Sequence, residues 1–465
     1  MCDSAMPLPA QIPSIADLLG AMPRRYKLST KLVQQADRGK VPTAAVALAT
    51  AIAQAEADLA RKAAPNAATR QCFLAGLAHL IDKAMRAETG DFVFQAMVMR
   101  HRHAEVRDYA SLVPHAEQDA RRVRSIVDAL AHPAKVHRMP ASPARSDLAL
   151  LHAAAVSSDW PAVVDKIRHL LNATESMLTA VASDRLTRLL ADPGLERLGR
   201  IETLATNSLV VRYQSLLERQ GPRSGSAEAA AQGAHAQQKG AAVEAAAAEG
   251  LRSLAARMTE ADTTARYRVV TAMHVPAAIV NGARHAKTEW DAVLLRSASA
   301  SRSDAIDWDV CLLVEVKASA DAATTDFPRL MRGLQLLAQA DKGSTYPFGT
   351  RQGLVSLRGA SLRALLTPTH DIDNVVLYCC DAPADTPPRL LSAASRMQLL
   401  SATCSLDYAA GLGTTDPLTI ESLEPVWRAL LDAPGWAQVL HQYSTMARVR
   451  DLMVHVEDLT RALRV

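Results

Sequence analysis

The chain reads as an α/β (α+β) protein, with a small mixed sheet flanked by helices and preceded by an all-α N-terminal region. Three observations predict this. From about residue 13 to 220, apolar residues recur at three- and four-residue spacing, the period of amphipathic helices. The tract RQGPRSGSAEAAAQGAHAQQKG, residues 219–240, then interrupts the pattern with almost no large apolar side chain. Beyond it the texture alternates helix, three strands, helix and strand, the plan of a mixed sheet with helices against it. The expected organisation is a helical region over 1–220, a flexible linker over 221–237, an α/β domain over 238–415, and C-terminal helices over 416–465 that pack on the core.

In the first region IADLLGAM, AVALATAIAQAEADLARKA, FLAGLAHLIDKAMRA and WPAVVDKIRHLLNATESMLTAVASDRLTRLL carry the helical period, with breaks at Pro65, Pro114, HPAKVHRMPASPARS and ADPGLER. After the linker, AAVEAAAAEGLRSLAARM reads as a helix. ARYRVVTAMHV, EWDAVLL and DWDVCLLVEVKAS then read as strands, FPRLMRGLQLLAQA as a helix and DNVVLYCCDA as a further strand. The tail from Pro417 returns to helices.

Hydrophobic residues at 49% mark a globular chain, and aromatics at only 4% mean that its cores are built from Leu, Val and Ala on closely packed helices. A chain of 465 residues calls for two or three domains. The net charge of +4 permits an anionic partner without demanding one. Cys2, Cys72, Cys311, Cys379, Cys380 and Cys404 are scattered, with no zinc spacing, and suit a reducing compartment. The start lacks a basic region followed by an apolar core, and the alanine-dominated VPTAAVALATAIAQAEADLA suits a packed helix better than a membrane span. A soluble, cytoplasmic protein is the expectation.

The chemistry is concentrated in LLVEVKAS, residues 312–319. In a strand Leu313, Glu315 and Lys317 share one face, while Leu312, Val314 and Val316 line the other. An amphipathic strand with an outward ion pair would account for that much. Asp291, in TEWDAVLLR, opens the preceding apolar strand. If the two strands are antiparallel neighbours, Asp291 and Glu315 converge at one end of the sheet. Two carboxylates there repel unless a cation sits between them, and oxygen ligands suit Mg²⁺ or Mn²⁺. Lys317 would then orient a water and meet charge developing on a phosphate, which is hydrolysis of a phosphodiester.

These residues resemble the signature of the PD-(D/E)XK nucleases, an acid opening one strand and E-x-K on the next. Asp291 and Glu315-Val316-Lys317 match it in order and element type, although Trp290 stands where the name has proline. The resemblance covers roughly residues 238–385 and implies a restriction-endonuclease-like core. It implies Asp291 and Glu315 as metal ligands, Val316 as a backbone ligand and Lys317 as the catalytic lysine. It also implies that Glu244, following Gly240, faces the metal, and that Gln335 and Arg332 contact substrate. The tyrosine usual four residues after that glutamine is replaced by Gln339. The implied partner is nucleic acid, DNA before RNA. The rival reading is a catalytically silent nuclease-fold module that binds nucleic acid or protein.

Other signals carry less. Residues 99–138 are the most basic part of the helical region, a solvated face by default or a phosphate-contacting patch. His101 and His103 point apart on a helix and make a poor metal pair. Asp304, Asp307 and Asp309 crowd the connection before E-x-K; Asp309 shares a face with Glu315 by even offset but lies about 20 Å away along the strand. No phosphate-cradling glycine loop, dinucleotide turn or nucleophile elbow appears.

Overall fold

The computed structural model describes residues 15–27, 43–172, 179–221, 225–262, 264–280, 285–298, 307–366, 372–384, 390–415 and 417–462. Cys2, Asp304 and residues 222–224 of the expected linker lie outside the described residues. The chain forms two compact units, one drawn from 1–80, 223–399 and 420–465, the other from 81–222 and 400–419. One break, at 222/223, falls in the expected linker, whereas residues 1–80 group with the sheet and 400–419 with the helices. Packing explains why the first 80 residues join the sheet: Tyr26 is buried in the sheet's core, donates its hydroxyl hydrogen to the Ala382 carbonyl and receives one from Cys380.

The sheet contains β1 (Arg266–His274), β2 (Glu289–Ser297), β3 (Asp307–Val316), β4 (Thr345–Thr350), β5 (Gly353–Arg358), β6 (Val376–Cys380) and β7 (Met453–His455). Its order is β2-β1-β4-β5-β3-β6-β7, and β2 also pairs with β3, so β1, β2, β3, β5 and β4 close into a ring. From β3 the parallel strands β6 and β7 extend it. Four of its strands were expected from the sequence; β4, β5, β7 and the closure were not.

Helix α1 (Ala227–Ala261) replaces most of the expected linker. Alanine has the highest helix propensity, so a tract too poor in large apolar groups to look like a packed element still forms a helix. Ser226 caps it, accepting the Ala229 N–H at 3.1 Å. Two cores flank the sheet. One holds Val270, Trp290, Leu313, Leu334 and Tyr378; the other packs Leu251 and Leu254 of α1 on Ala292, Leu312, Val314 and Cys379. Neighbours Cys379 and Cys380 thus face opposite cores, as strand alternation requires. Helix α2 (Ala320–Leu337) follows β3, capped by Ser319, and includes Pro328. Helices α3 (Gln442–Leu452) and α4 (Val456–Ala462) bracket β7.

A bulge in β3 corrects one expectation. Leu294 pairs with Leu312 but Leu295 with Val310, leaving Cys311 extra. Parity is lost across it, so even offset no longer puts Asp309 on Glu315's face; Asp309 instead forms a two-pronged ion pair with Arg358.

The second unit is helical, with Val123, Val127, Leu151, Val163 and Ile167 at its centre. Much of its basic segment is internally engaged. Arg121 pairs with Glu117 and Arg122 with Asp192, while Arg124 donates to Ser158 and covers the Trp160 ring at 5.7 Å. Among the described residues, no helix is long and apolar enough to cross a membrane.

Candidate active site

The register of β2 and β3 decides where the acids meet. Ala292 pairs with Val314, so one step further the antiparallel ladder sets Asp291 opposite Glu315. On the other side β6 runs parallel and aligns Tyr378 with Glu315. The Asp291 carboxylate accepts the Val316 N–H at 2.7 Å, and the Lys317 N–H donates to the Cys379 carbonyl at 2.9 Å. The strand ends are thereby locked around the E-x-K sequence.

Glu315 has no exposure to solvent. That excludes the outward ion pair. Its Oε2 lies 2.7 Å from the ammonium of Lys287 and 3.2 Å from that of Lys317, whereas its Oε1 is buried with no hydrogen-bond partner among the described residues. Lys317 also lies 3.4 Å from Asp326 of α2, which accepts a hydrogen bond from the Tyr378 hydroxyl at 3.3 Å. Lys287 is 5% exposed and held from several directions. Its N–H donates to the Arg329 carbonyl at 3.2 Å and its ammonium sits 5.7 Å from the Trp290 ring. Gly333 lets α2 approach it closely: a Cβ there would stand 2.8 Å from the Lys287 Cβ and carbonyl oxygen.

The electrostatics follow from burial and crowding. Burial, then the neighbouring Asp291, pushes the Glu315 carboxyl up to about 8, against the pull of Lys287 and Lys317. For Lys317, burial favours the neutral amine, but Glu315, Asp326 and Asp291 together outweigh it and hold the ammonium above the usual lysine range. Burial and Asp326 likewise raise the Tyr378 phenol. Glu244 of α1 is raised by burial and then by Asp291, with Arg351 pulling the other way, which places it within electrostatic reach of Asp291.

Asp291, Glu315, Val316 and Lys317 are thus brought together, with Glu244 nearby. Arg332 and Gln335 are not. Both are exposed on α2, about 120° and 180° around the helix from Asp326, the residue that reaches the site. Arg332 donates instead to the His285 carbonyl at 3.0 Å. Lys287, Asp326 and Tyr378 were missed from sequence. Asp326 lies on the helix after E-x-K and Lys287 four residues before Asp291, but neither spacing has a local signature.

Among the described residues no group of three or more His, Cys, Asp or Glu side chains clusters as a metal cage. A Mg²⁺ site does not need one. Mg²⁺ is commonly held by one or two carboxylates, with waters and substrate phosphate completing its shell. Asp291, Glu315 and the Val316 carbonyl are donors of that kind, and the unpartnered Oε1 of Glu315 is a buried acceptor that a cation would satisfy. The donor set fits. Compared with family models, curated proteins and solved structures, the chain matches none.

Proposed function

We propose that this chain is a Mg²⁺- or Mn²⁺-dependent nuclease that hydrolyses phosphodiester bonds, in DNA before RNA, on a restriction-endonuclease-like core in a cytoplasmic setting. The observation that carries the reading is the Glu315 carboxylate: fully buried, opposite Asp291, with Lys317 on one oxygen and no partner on the other. Asp291, Glu315 and the Val316 carbonyl would hold the cation, with Glu244 near enough to add negative potential. When bound, the cation supplies Lewis acidity at a phosphoryl oxygen. Lys317, held protonated by three carboxylates, serves as a fixed positive donor toward charge developing on the phosphate, and its charge makes it unsuited to act as a general base. Asp326 positions that ammonium, and Tyr378 orients Asp326.

The test is cleavage of supercoiled, linear and single-stranded DNA with Mg²⁺, Mn²⁺ or EDTA. Lys317→Ala should cut about 10²- to 10³-fold more slowly, the usual cost of a lost transition-state donor, and Glu315→Ala should not cut. Metal-independent cutting, or variants as active as the wild type, would defeat the proposal. One observation favours the silent module: Lys287 already supplies Glu315 with a cationic partner at 2.7 Å. Nucleic-acid binding without cleavage, equal in wild type and Glu315→Ala, would establish that reading.

A further inference from the structure

A cleft of about 520 Å³ opens between α2 and the start of α3, within the range of small-ligand sites. Thr325, Pro328 and Arg332 line it from α2; Ser395, His441 and Gln442 face them. Three- and four-residue spacing makes the α2 residues a single stripe. Asp326 projects about 100° from Thr325, so the cleft lies on a different face of the helix from the carboxylate site.

Its chemistry is one-sided. No acidic side chain is among the lining residues. Arg332 is exposed, with its Nε tethered to the His285 carbonyl, so binding through its other nitrogens orders little that is not already ordered. Gln442 is 3% exposed; its Oε1 accepts the Ser392 N–H at 3.2 Å and its Nε2 donor has no partner among the described residues. No side chain caps the N-terminus of α3, whose eleven residues direct the positive end of their dipole there. Two carboxylates beside it are engaged. Glu56 lies 2.9 Å from His441 Nδ1 and accepts from Ser444, and Asp321 accepts the Ala393 N–H at 3.3 Å. An arginine, an unsatisfied buried donor and an open helix N-terminus converge on a space larger than a bare phosphate.

We propose that this cleft is an anion site for a phosphate group, that of a mononucleotide or of free phosphate. Arg332, expected from sequence to touch a phosphate beside the carboxylates, does so here instead. The experiment titrates the full chain with inorganic phosphate, thymidine 5′-monophosphate and thymidine, followed by ³¹P NMR and calorimetry. Phosphate and the monophosphate bind, and thymidine does not. Tighter binding of the monophosphate identifies a nucleotide as the ligand; equal affinity identifies free phosphate. Arg332→Gln, at an exposed position, weakens binding about tenfold or more, as loss of a hydrogen bond to a charged group predicts. Gln442→Leu weakens it as well, with circular dichroism confirming the fold. Glu315→Ala leaves it unchanged, so the result is separate from that of the cleavage assay. Absence of binding, unaltered affinity in Arg332→Gln, or thymidine binding as tightly as its monophosphate would each overturn the proposal.

Discussion

A carboxylate sealed from water, with two ammonium groups on one oxygen and none on the other, is under opposing demands. Burial favours its neutral form and the lysines its charged form. Removing one partner of a buried pair leaves the other uncompensated, at about 3–5 kcal/mol, whereas removing both costs much less. Above about pH 8, where the Glu315 carboxyl is ionised, Lys287→Met should therefore destabilise the protein by about 3 kcal/mol, and Lys287→Met with Glu315→Gln should recover most of it; urea denaturation of the four-member cycle at that pH measures the coupling. Additive losses would show that the pair is not coupled. The same site predicts a pH dependence. A carboxyl raised to about 8 in the fold, from an ordinary value near 4.5, contributes stability that is complete below the lower value and lost as pH rises through the higher. Wild type should lose stability relative to Glu315→Gln between those limits and no further above them. At this scale the sequence disclosed Asp291, Glu315 and Lys317, because strand parity and one antiparallel register suffice to bring them together. Lys287 and Asp326 arrive through a loop and a helix whose placement depends on packing that no local pattern encodes.

Two glycines separate a helical position held by contact from one held by propensity. Gly240 in α1 has nothing within 4 Å of where a Cβ would stand, and Gly333 in α2 abuts the Lys287 backbone. Gly240→Ala should stabilise by up to about 1 kcal/mol and leave any activity intact. Gly333→Ala should destabilise by about 1–3 kcal/mol, the cost of overpacking, and disturb Lys287. Thermal denaturation orders them; the reverse order would contradict both assignments. The longer strands and α2 were legible because they are apolar runs with clear periodicity. Strands β4 and β5 were not: each has six residues, β4 contains Pro347 and Gly349, and Leu354 of β5 is 76% exposed. Strand β7 is three residues between two helices, too short to interrupt a helical pattern.

At the scale of the molecule, the two units respond to acid and base differently. In the helical unit, Arg197 grips Asp119 with two hydrogen bonds of 2.7 and 2.8 Å, and this contact, against the raising effect of burial, holds the Asp119 carboxyl below the usual range. A depressed carboxyl stabilises above its unfolded value and loses that contribution as pH falls through the folded one. Asp119→Asn should therefore weaken the helical unit at neutral pH and flatten its acid transition, seen as hydrogen-exchange protection in residues 116–131 and 193–205 measured against pH. Equal acid sensitivity in the variant would assign the transition elsewhere. The all-helical region and the mixed sheet were legible as classes, and the break at 222/223 lies in the expected linker, but the grouping of 1–80 with the sheet and of 400–419 with the helices was not legible. The core that takes in Tyr26 and the segments that double back are set by contacts between distant residues.

The closure of the strands has its own consequence. A sheet aggregates through unpaired strand edges, where exposed N–H and C=O groups recruit another chain. In this sheet β1 pairs along β2, β2 along β3 and β4 along β5, but the ring closes through one residue pair between β1 and β4 and two between β3 and β5, while β6 carries the extension to β7, three buried residues flanked by helices. Among the described residues the unpaired edge left to another strand is therefore concentrated where those short ladders leave β1, β4 and β5 without a neighbour, and that is where strand addition would begin.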